Sequence, residues 1–288
     1  MSSPAVQARP ALTHDDLDEA LQSIQIPACP AVVADVMREA QKDDPDMRVL
    51  ARVIASDVGM SAMAIKLANS ALFRATSPVK SVSQAVNRLG ISNVLSVVIA
   101  AALRSASASL PSELMDPFWN RAATLALSTA VIARCHMGVS AENAYTFALF
   151  HDAAIPVMMT HYPQYGAVYA AAQASGRPLV ADELAHFPCS HPTVGWLLAR
   201  NWGLPPVLAA AIRFHHEPDI FSKPDDSLTP EALGMMAVTL VAEHVLAECI
   251  GDTGGELDTG LAQQAMAYLG TSDQDLDDFR ERVAAAIR

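Results

Sequence analysis

The sequence predicts an all-α protein, and three observations carry that expectation. Helix start and stop signals occur along the whole chain, apolar residues recur at helical spacing, and sustained period-two alternation is absent. Abundant alanine, the best helix former, adds to the tendency.

Taken in order, Val32, Val33, Val36 and Met37 fall on one helical face, and Val49, Leu50, Val53 and Ile54 repeat the pattern. Ser81-x-x-Gln84 reads as a capping box opening a short helix that Gly90 closes. The stretch from Ser105 to Pro111 reads as a turn or short linker. Pro163 opens a further helix that Gly176 stops, and Ser190 caps a helix carrying His191, Pro192 and Val194 that Gly203 ends. Thr229-Pro230-Glu231 combines a cap, a first-turn proline and a first-turn acid, and Ser272-x-x-Asp275 opens the last helix. The expected organisation is an N-terminal extension (1–19), a main domain (20–250) and a C-terminal helical extension (251–288). The main domain divides into a block of short helices (20–110) and a block of longer ones (111–250) that holds eight of the nine histidines. A polar break, Gly251 to Gly255, precedes the extension.

Composition narrows the class. Of 288 residues, 51% are hydrophobic and 17% charged, enough apolar material for a sizeable core. No unbroken apolar run approaches the roughly 18–20 residues that span a bilayer. The first twelve residues lack the basic start and apolar stretch of a secretory signal. A cytoplasmic location without membrane contact is expected. Cys29, Cys135, Cys189 and Cys249 lie far apart and read as small buried hydrophobes. The net charge is −12, and from Glu217 onward 15 acids face 4 basic residues. Such a tail repels phosphate backbones, so nucleic acid is not an expected partner. Residues 26–110 hold nine basic and six acidic residues, a mild excess that ordinary surface helices also show. Neither a Gly-rich phosphate loop nor a nucleophile elbow occurs. Trp119, Trp196 and Trp202 sit among apolar neighbours and read as core.

The chemically suggestive residues are His151-Asp152, His191 and His215-His216, with His161 and His186 as looser company. Imidazoles and carboxylates ligate zinc, iron or manganese. Adjacent residues on a helix point about 100° apart, so His151 and Asp152 could share a metal only at the wall of a helix-lined cavity. Hydrolysis of a phosphate also needs a cationic helper. Ala153, Ala154, Ile155 and Pro156, which follow the pair, supply none. Without a metal, the histidines would tie helix ends and buried carbonyls together.

Ile26 to Pro30, Ala55 to Met60, Lys66 to Phe73 and Val82 to Gly90, taken in order, resemble the landmarks of the HD-related output domain family. Ile26-Pro27-Ala28-Cys29-Pro30 is similar to its L-P-x-L-P opening, and Ala55 to Met60 to its x-x-D-P-x-L turn. Lys66 to Phe73 is similar to its L-x-x-A-N-S-A-x-F helix, and Val82 to Gly90 to I-x-x-A-I-x-x-L-G. Phe118-Trp119, Phe150-His151-Asp152, Ser190 to Gly195, Trp202 to Pro205 and Ile212 to Pro218 continue the series. The resemblance implies an HD-like bundle of two packed helical blocks, distantly related to metal-dependent HD phosphohydrolases and to the HD-GYP enzymes that cleave cyclic di-GMP. It also exposes departures. Where catalytic relatives carry an upstream histidine, this chain offers Arg121 or Ala122. Where they carry glycine and lysine after His-Asp, it has Ala154 and Ile155, and their late aspartate is matched by Glu243. The Gly-Tyr-Pro motif is absent after His216.

The resemblance therefore implies a vestigial site of His151, Asp152, His191, His215, His216, Arg121 and Glu243, without catalysis. An arginine near the metal position could replace a cation electrostatically by pairing with Asp152 or Glu243. No cofactor and no metal are expected; were a metal retained, His151, Asp152, His191 and His215 are the expected ligands. The expected role is a bacterial regulatory module working through signalling proteins or a bound nucleotide. The alternatives are a metal-dependent phosphohydrolase and a nucleotide sensor without turnover.

Overall fold

The computed structural model describes residues 24, 26–73, 77–175, 177–251 and 259–287, and within them every regular element is helical. The expected N-terminal extension, the Gly176 stop and most of the polar break after Gly251 lie outside the described residues.

The first block contains α1 (Ala31–Ala40), α2 (Met47–Ala55), α3 (Val58–Ala68), a 3-10 turn (Ala71–Phe73) and α4 (Val82–Ala106). Asp46 and Asp57 start α2 and α3 by accepting the backbone N–H of Arg48 and Met60, donors that a helix start would otherwise leave orphaned. Asn69 closes the following loop: its amide donates to the Val79 carbonyl at 2.9 Å and accepts the Val79 N–H at 2.7 Å. Ser81 caps α4 as expected, accepting the N–H of Gln84. The expected stop at Gly90 is a kink instead. Gly90 sits at φ 71°, a conformation glycine adopts without a Cβ penalty, and helix resumes at once to Ala106.

The second block contains α5 (Ser112–Ala133), α6 (Ala141–Phe150), α7 (Ala154–His161), α8 (Tyr165–Ser175), α9 (Leu179–His186), α10 (His191–Asn201), α11 (Pro206–Phe214) and α12 (Pro230–Ile250). Pro163 precedes α8 by two residues rather than opening it. Thr229 caps α12 through the N–H of Ala232. Beyond it, α13 (Thr259–Leu269) and α14 (Asp273–Ile287) follow, with Ser272 and Asp275 exchanging cap hydrogen bonds.

Two helices organise the packing. α4 packs on α1, α2 and α3 and reaches α6, while α12 packs against α5, α6, α11, α13 and α14. The seam between the blocks is crossed by a 2.7 Å bond between the buried hydroxyls of Ser96 and Thr146. The indole of Trp202 also donates to the Pro27 carbonyl at 2.9 Å. One continuous apolar core runs through both blocks. α4 and α12 are long and apolar enough to cross a membrane, against the expectation from unbroken runs, because scattered polar residues do not spoil a 21- or 25-residue helix. Their most apolar windows are 56% and 67% buried inside the fold, which accounts for their composition as core. The terminal extension is docked: α14 packs on α5, α12 and the 3-10 turn, burying Leu276, Phe279 and Val283. Of the cysteines, Cys189 is buried, whereas Cys135 is exposed, so the buried-hydrophobe expectation fails there.

Candidate functional site

The predicted histidines sit where helix ends converge. His151 follows the last residue of α6 and His215 the last residue of α11, both as C-caps, while His191 is the first residue of α10. His151 and Asp152 therefore lie in the turn between α6 and α7, at the wall of a helix-lined site. The His151 Nε2 lies 3.1 Å from Asp152 Oδ2. His191 Nε2 and His215 Nε2 lie 3.3 and 3.5 Å from Asp152 Oδ1.

Hydrogen bonds on the far side of each ring fix its tautomer. His151 Nδ1 lies 2.8 Å from the Ala148 carbonyl, and His215 Nδ1 lies 2.8 Å from the Ile212 carbonyl. A carbonyl only accepts, so both rings donate from Nδ1, each satisfying an otherwise orphaned helix-end oxygen. His191 Nδ1 donates to Glu183 Oε2 at 2.9 Å, and the same oxygen accepts the His191 backbone N–H at 3.0 Å. That carboxylate does the capping expected of Ser190, whose side chain makes no cap bond. With each Nδ1 committed, three Nε2 atoms turn toward one carboxylate that can only accept. Asp152 Oδ1, His191 Nε2 and His215 Nε2 are buried without a hydrogen-bond partner.

Such a cluster needs positive charge at its centre, supplied either by protons on Nε2 or by a cation. The ligand atoms of Asp152, His191, His215 and His216 lie within 4.8 Å of one another, a set of three imidazoles and a carboxylate that suits a transition-metal dication. The expected fallback set named His151 where this group has His216. The residues present fit a divalent cation, and Glu183 is the outer carboxylate that commonly orients such a ligand.

The electrostatics follow from this crowding. Burial works against ionisation of Asp152, but the imidazoles of His151, His191 and His215 overcome it and hold the carboxyl well below its usual range. Burial likewise opposes charge on His191, and Glu183 with Asp152 outweighs it, raising that imidazole well above its ordinary value. His151 is raised against burial by Asp152. Burial dominates at His215, lowered to about 4, and at His216, held well below its ordinary value with help from His215 and His191.

Arg121 and Glu243 meet as expected. Arg121 Nη2 donates to Glu243 Oε1 at 3.1 Å, with side chains only 19% and 10% exposed. Burial raises the Glu243 carboxyl despite the guanidinium beside it. A pocket of about 350 Å³ opens onto the site, with Arg121, His151, Asp152 and Ile155 along its wall between Phe118 and Tyr169. Arg121 is the one lysine or arginine on that wall among the described residues.

His161 and His186 stand outside the cluster: His161 meets Tyr162 edge to face, and His186 Nδ1 faces the Asp182 carbonyl. Glu183 is the functional residue the sequence reading missed. It is fully buried and also accepts from Tyr165. Its position four residues after buried Leu179, on one helical face, was the available signal. Trp119 and Trp202 are core as expected, whereas half-buried Trp196 stacks beneath Arg200 and Arg213.

Comparison with known proteins bears on the family and the fold. The sequence pattern described as the HDOD domain matches residues 26–218. An uncharacterized protein of Treponema pallidum (strain Nichols) is 26% identical over 195 residues, which cover 66% of this chain and 37% of that relative's length. Three solved structures share the fold. A protein of Marinobacter aquaeolei VT8, provisionally named for signal transduction, superposes with a TM-score of 0.68 at 20% identity, covering 95% of this chain and 64% of its own. A provisionally named phosphohydrolase of Shewanella amazonensis SB2B gives 0.66 at 23% identity, with 94% and 93% covered. An HDOD domain protein of unknown function from Geobacter sulfurreducens gives 0.62 at 18% identity, with 93% and 96% covered.

Proposed function

Since the chain belongs to the HDOD domain family, we propose that it is a regulatory module that acts through signalling partners or a bound ligand and does not hydrolyse phosphoesters. The observation that carries this reading is the largely buried Arg121–Glu243 pair. The pocket's one guanidinium is committed to a carboxylate, and Ile155 stands where the resemblance places a catalytic lysine. A phosphate entering the pocket would find no uncommitted lysine or arginine on the described wall to steady its developing charge.

A second reading, a metal-dependent phosphohydrolase, has one observation in its favour: the imidazoles and Asp152 converge on a common point. A dication held there by Asp152, His191, His215 and His216 would polarise a phosphoryl oxygen or acidify a bound water. Around it, Glu183 would hold the His191 ring, and Asp152 would be indispensable.

The two readings separate in one experiment. Protein purified without a chelating tag is analysed for metals, loaded with manganese or iron, and assayed on bis(p-nitrophenyl) phosphate beside an Asp152→Ala control. The regulatory reading expects equal, background turnover in both proteins, whatever the metal content. Turnover that the control loses would replace it with the hydrolase.

A further inference from the structure

A larger cavity, about 820 Å³, lies along the seam between the two blocks, and the histidine site does not use it. Helices α3, α4, α5 and α6 each turn residues toward it, and Ala285, Ala286 and Ile287 of α14 form part of the rim. Protein interiors are close-packed and hold few voids larger than a water molecule, whereas ligand pockets run to roughly 300–1,000 Å³. Most of the wall is aliphatic, with Leu67, Val97 and Leu149 among the buried contributors.

The polar groups on this wall share a character. Lys66 has no acid within ion-pairing distance among the described residues, while the neighbouring Arg104 is neutralised by Asp116. Tyr145 is only 7% exposed and brings its phenol to the cavity wall. Burial pushes that phenol further above its ordinary range, so it stays a donor. The Ser70 hydroxyl is buried without a partner. A buried hydroxyl is rarely left unpaired, so Ser70 Oγ points to a missing partner, and the exposed Lys66 ammonium sets an unbalanced positive charge at the same wall.

We propose that the seam cavity binds a small amphipathic anion, a carboxylate or phosphate monoester carried on an aliphatic chain. The head lies toward Lys66 and Tyr145, and the chain lies along the aliphatic wall. Each CH2 withdrawn from water contributes about 0.8 kcal/mol, and the charged head selects orientation. Because α3 and α4 belong to one block and α5 and α6 to the other, the ligand bridges both.

The test is calorimetric titration of the full chain with dodecanoate, dodecyl phosphate and dodecanol, each below its aggregation concentration. Saturable one-to-one binding is expected for at least one anion, and the better of the two names the headgroup. Lys66→Glu, at an exposed position, should weaken that binding at least tenfold, and Tyr145→Phe about threefold, with melting temperatures close to the parent's. Any of four results overturns the proposal: no saturable heat with either anion, dodecanol binding as tightly as the anions, unchanged affinity in Lys66→Glu, or a dimer that the same substitution dissociates. The last would give the cavity to a second copy of the chain.

Discussion

Replacing Arg121 by methionine tests the central pair directly. The guanidinium and the Glu243 carboxylate are 3.1 Å apart, with side chains 19% and 10% exposed, so neither is substantially hydrated. Removing one partner of a buried ion pair costs roughly 3–5 kcal/mol, because the other is left as an uncompensated charge. Glu243 can escape part of that by taking a proton, since burial already raises its carboxyl. The lower end, about 3 kcal/mol, is therefore expected near pH 7. At about 2–4 °C per kcal/mol for chains of comparable size, Arg121→Met should melt roughly 6–12 °C below the parent. The pH dependence has a definite sign. A carboxyl raised in the folded state binds more protons there than in the unfolded chain, so stability falls as pH rises through that window. The deficit should accordingly be smaller at pH 5 than at pH 8. Replacing both partners, Arg121→Met with Glu243→Leu, should recover at least about 2 kcal/mol of the summed single losses. Urea unfolding followed by circular dichroism measures all four proteins. A single-variant loss under about 0.5 kcal/mol, or additive losses, would refute a coupled buried pair.

Three further outcomes are expected. Glu183→Gln removes a carboxylate that serves His191 twice and Tyr165 once, and should cost about 3 kcal/mol by urea unfolding. Gly195→Ala places a Cβ 2.9 Å from Ile212 Cγ2, with Ala154 and the His151 carbonyl behind it, and should destabilise by about 1–3 kcal/mol without exposing the core to a dye. His136 packs against Phe279 of the docked α14, and burial lowers its pKa below 6.5. The unfolded chain then binds the extra proton first, so stability drops as pH falls below about 6.5, and His136→Gln should flatten that limb of the stability profile.

Much of the fold was legible because caps and periodicity are local. Thr229 and Ser272 start their helices by bonds to residues three positions on, and such spacing can be read directly from a chain. Gly90 marks the limit. Its freedom to take a positive φ was visible, but whether the chain stops or kinks there depends on what α4 packs against beyond it. The site divides in the same way. Histidines and Asp152 announce their chemistry by residue type. Glu183 looks like a surface acid in its own segment and acquires its role only when α9 brings it under His191. The same long-range logic hides the seam cavity, whose wall is assembled from four helices and the end of a fifth.

The charge of the histidine site explains how it can persist with altered partners. Asp152, Glu183 and Glu243 bring three negative charges into a largely buried space, and Arg121 returns one. Two more positive charges restore neutrality, and an unbalanced buried charge is costly. The geometry offers two equivalent sources. His151 and His191, already donating from Nδ1, can each accept a proton at Nε2 facing Asp152, or the imidazoles can remain neutral around one dication. The resemblance places a histidine where this chain has Arg121 or Ala122 and an aspartate where it has Glu243, and Arg121 is the one of the two that pairs with Glu243. A neutral imidazole with a carboxylate carries one negative charge, whereas the arginine–glutamate pair carries none. The exchange lowers the site's demand for cations by one unit, so the fold can close on protons alone. Manganese titrated by calorimetry into metal-free protein, in buffers of different ionisation heat, should then release about two protons per ion bound. Binding without proton release would mean that His151 and His191 are not the counter-charges, and the balance would have to be sought elsewhere in the site.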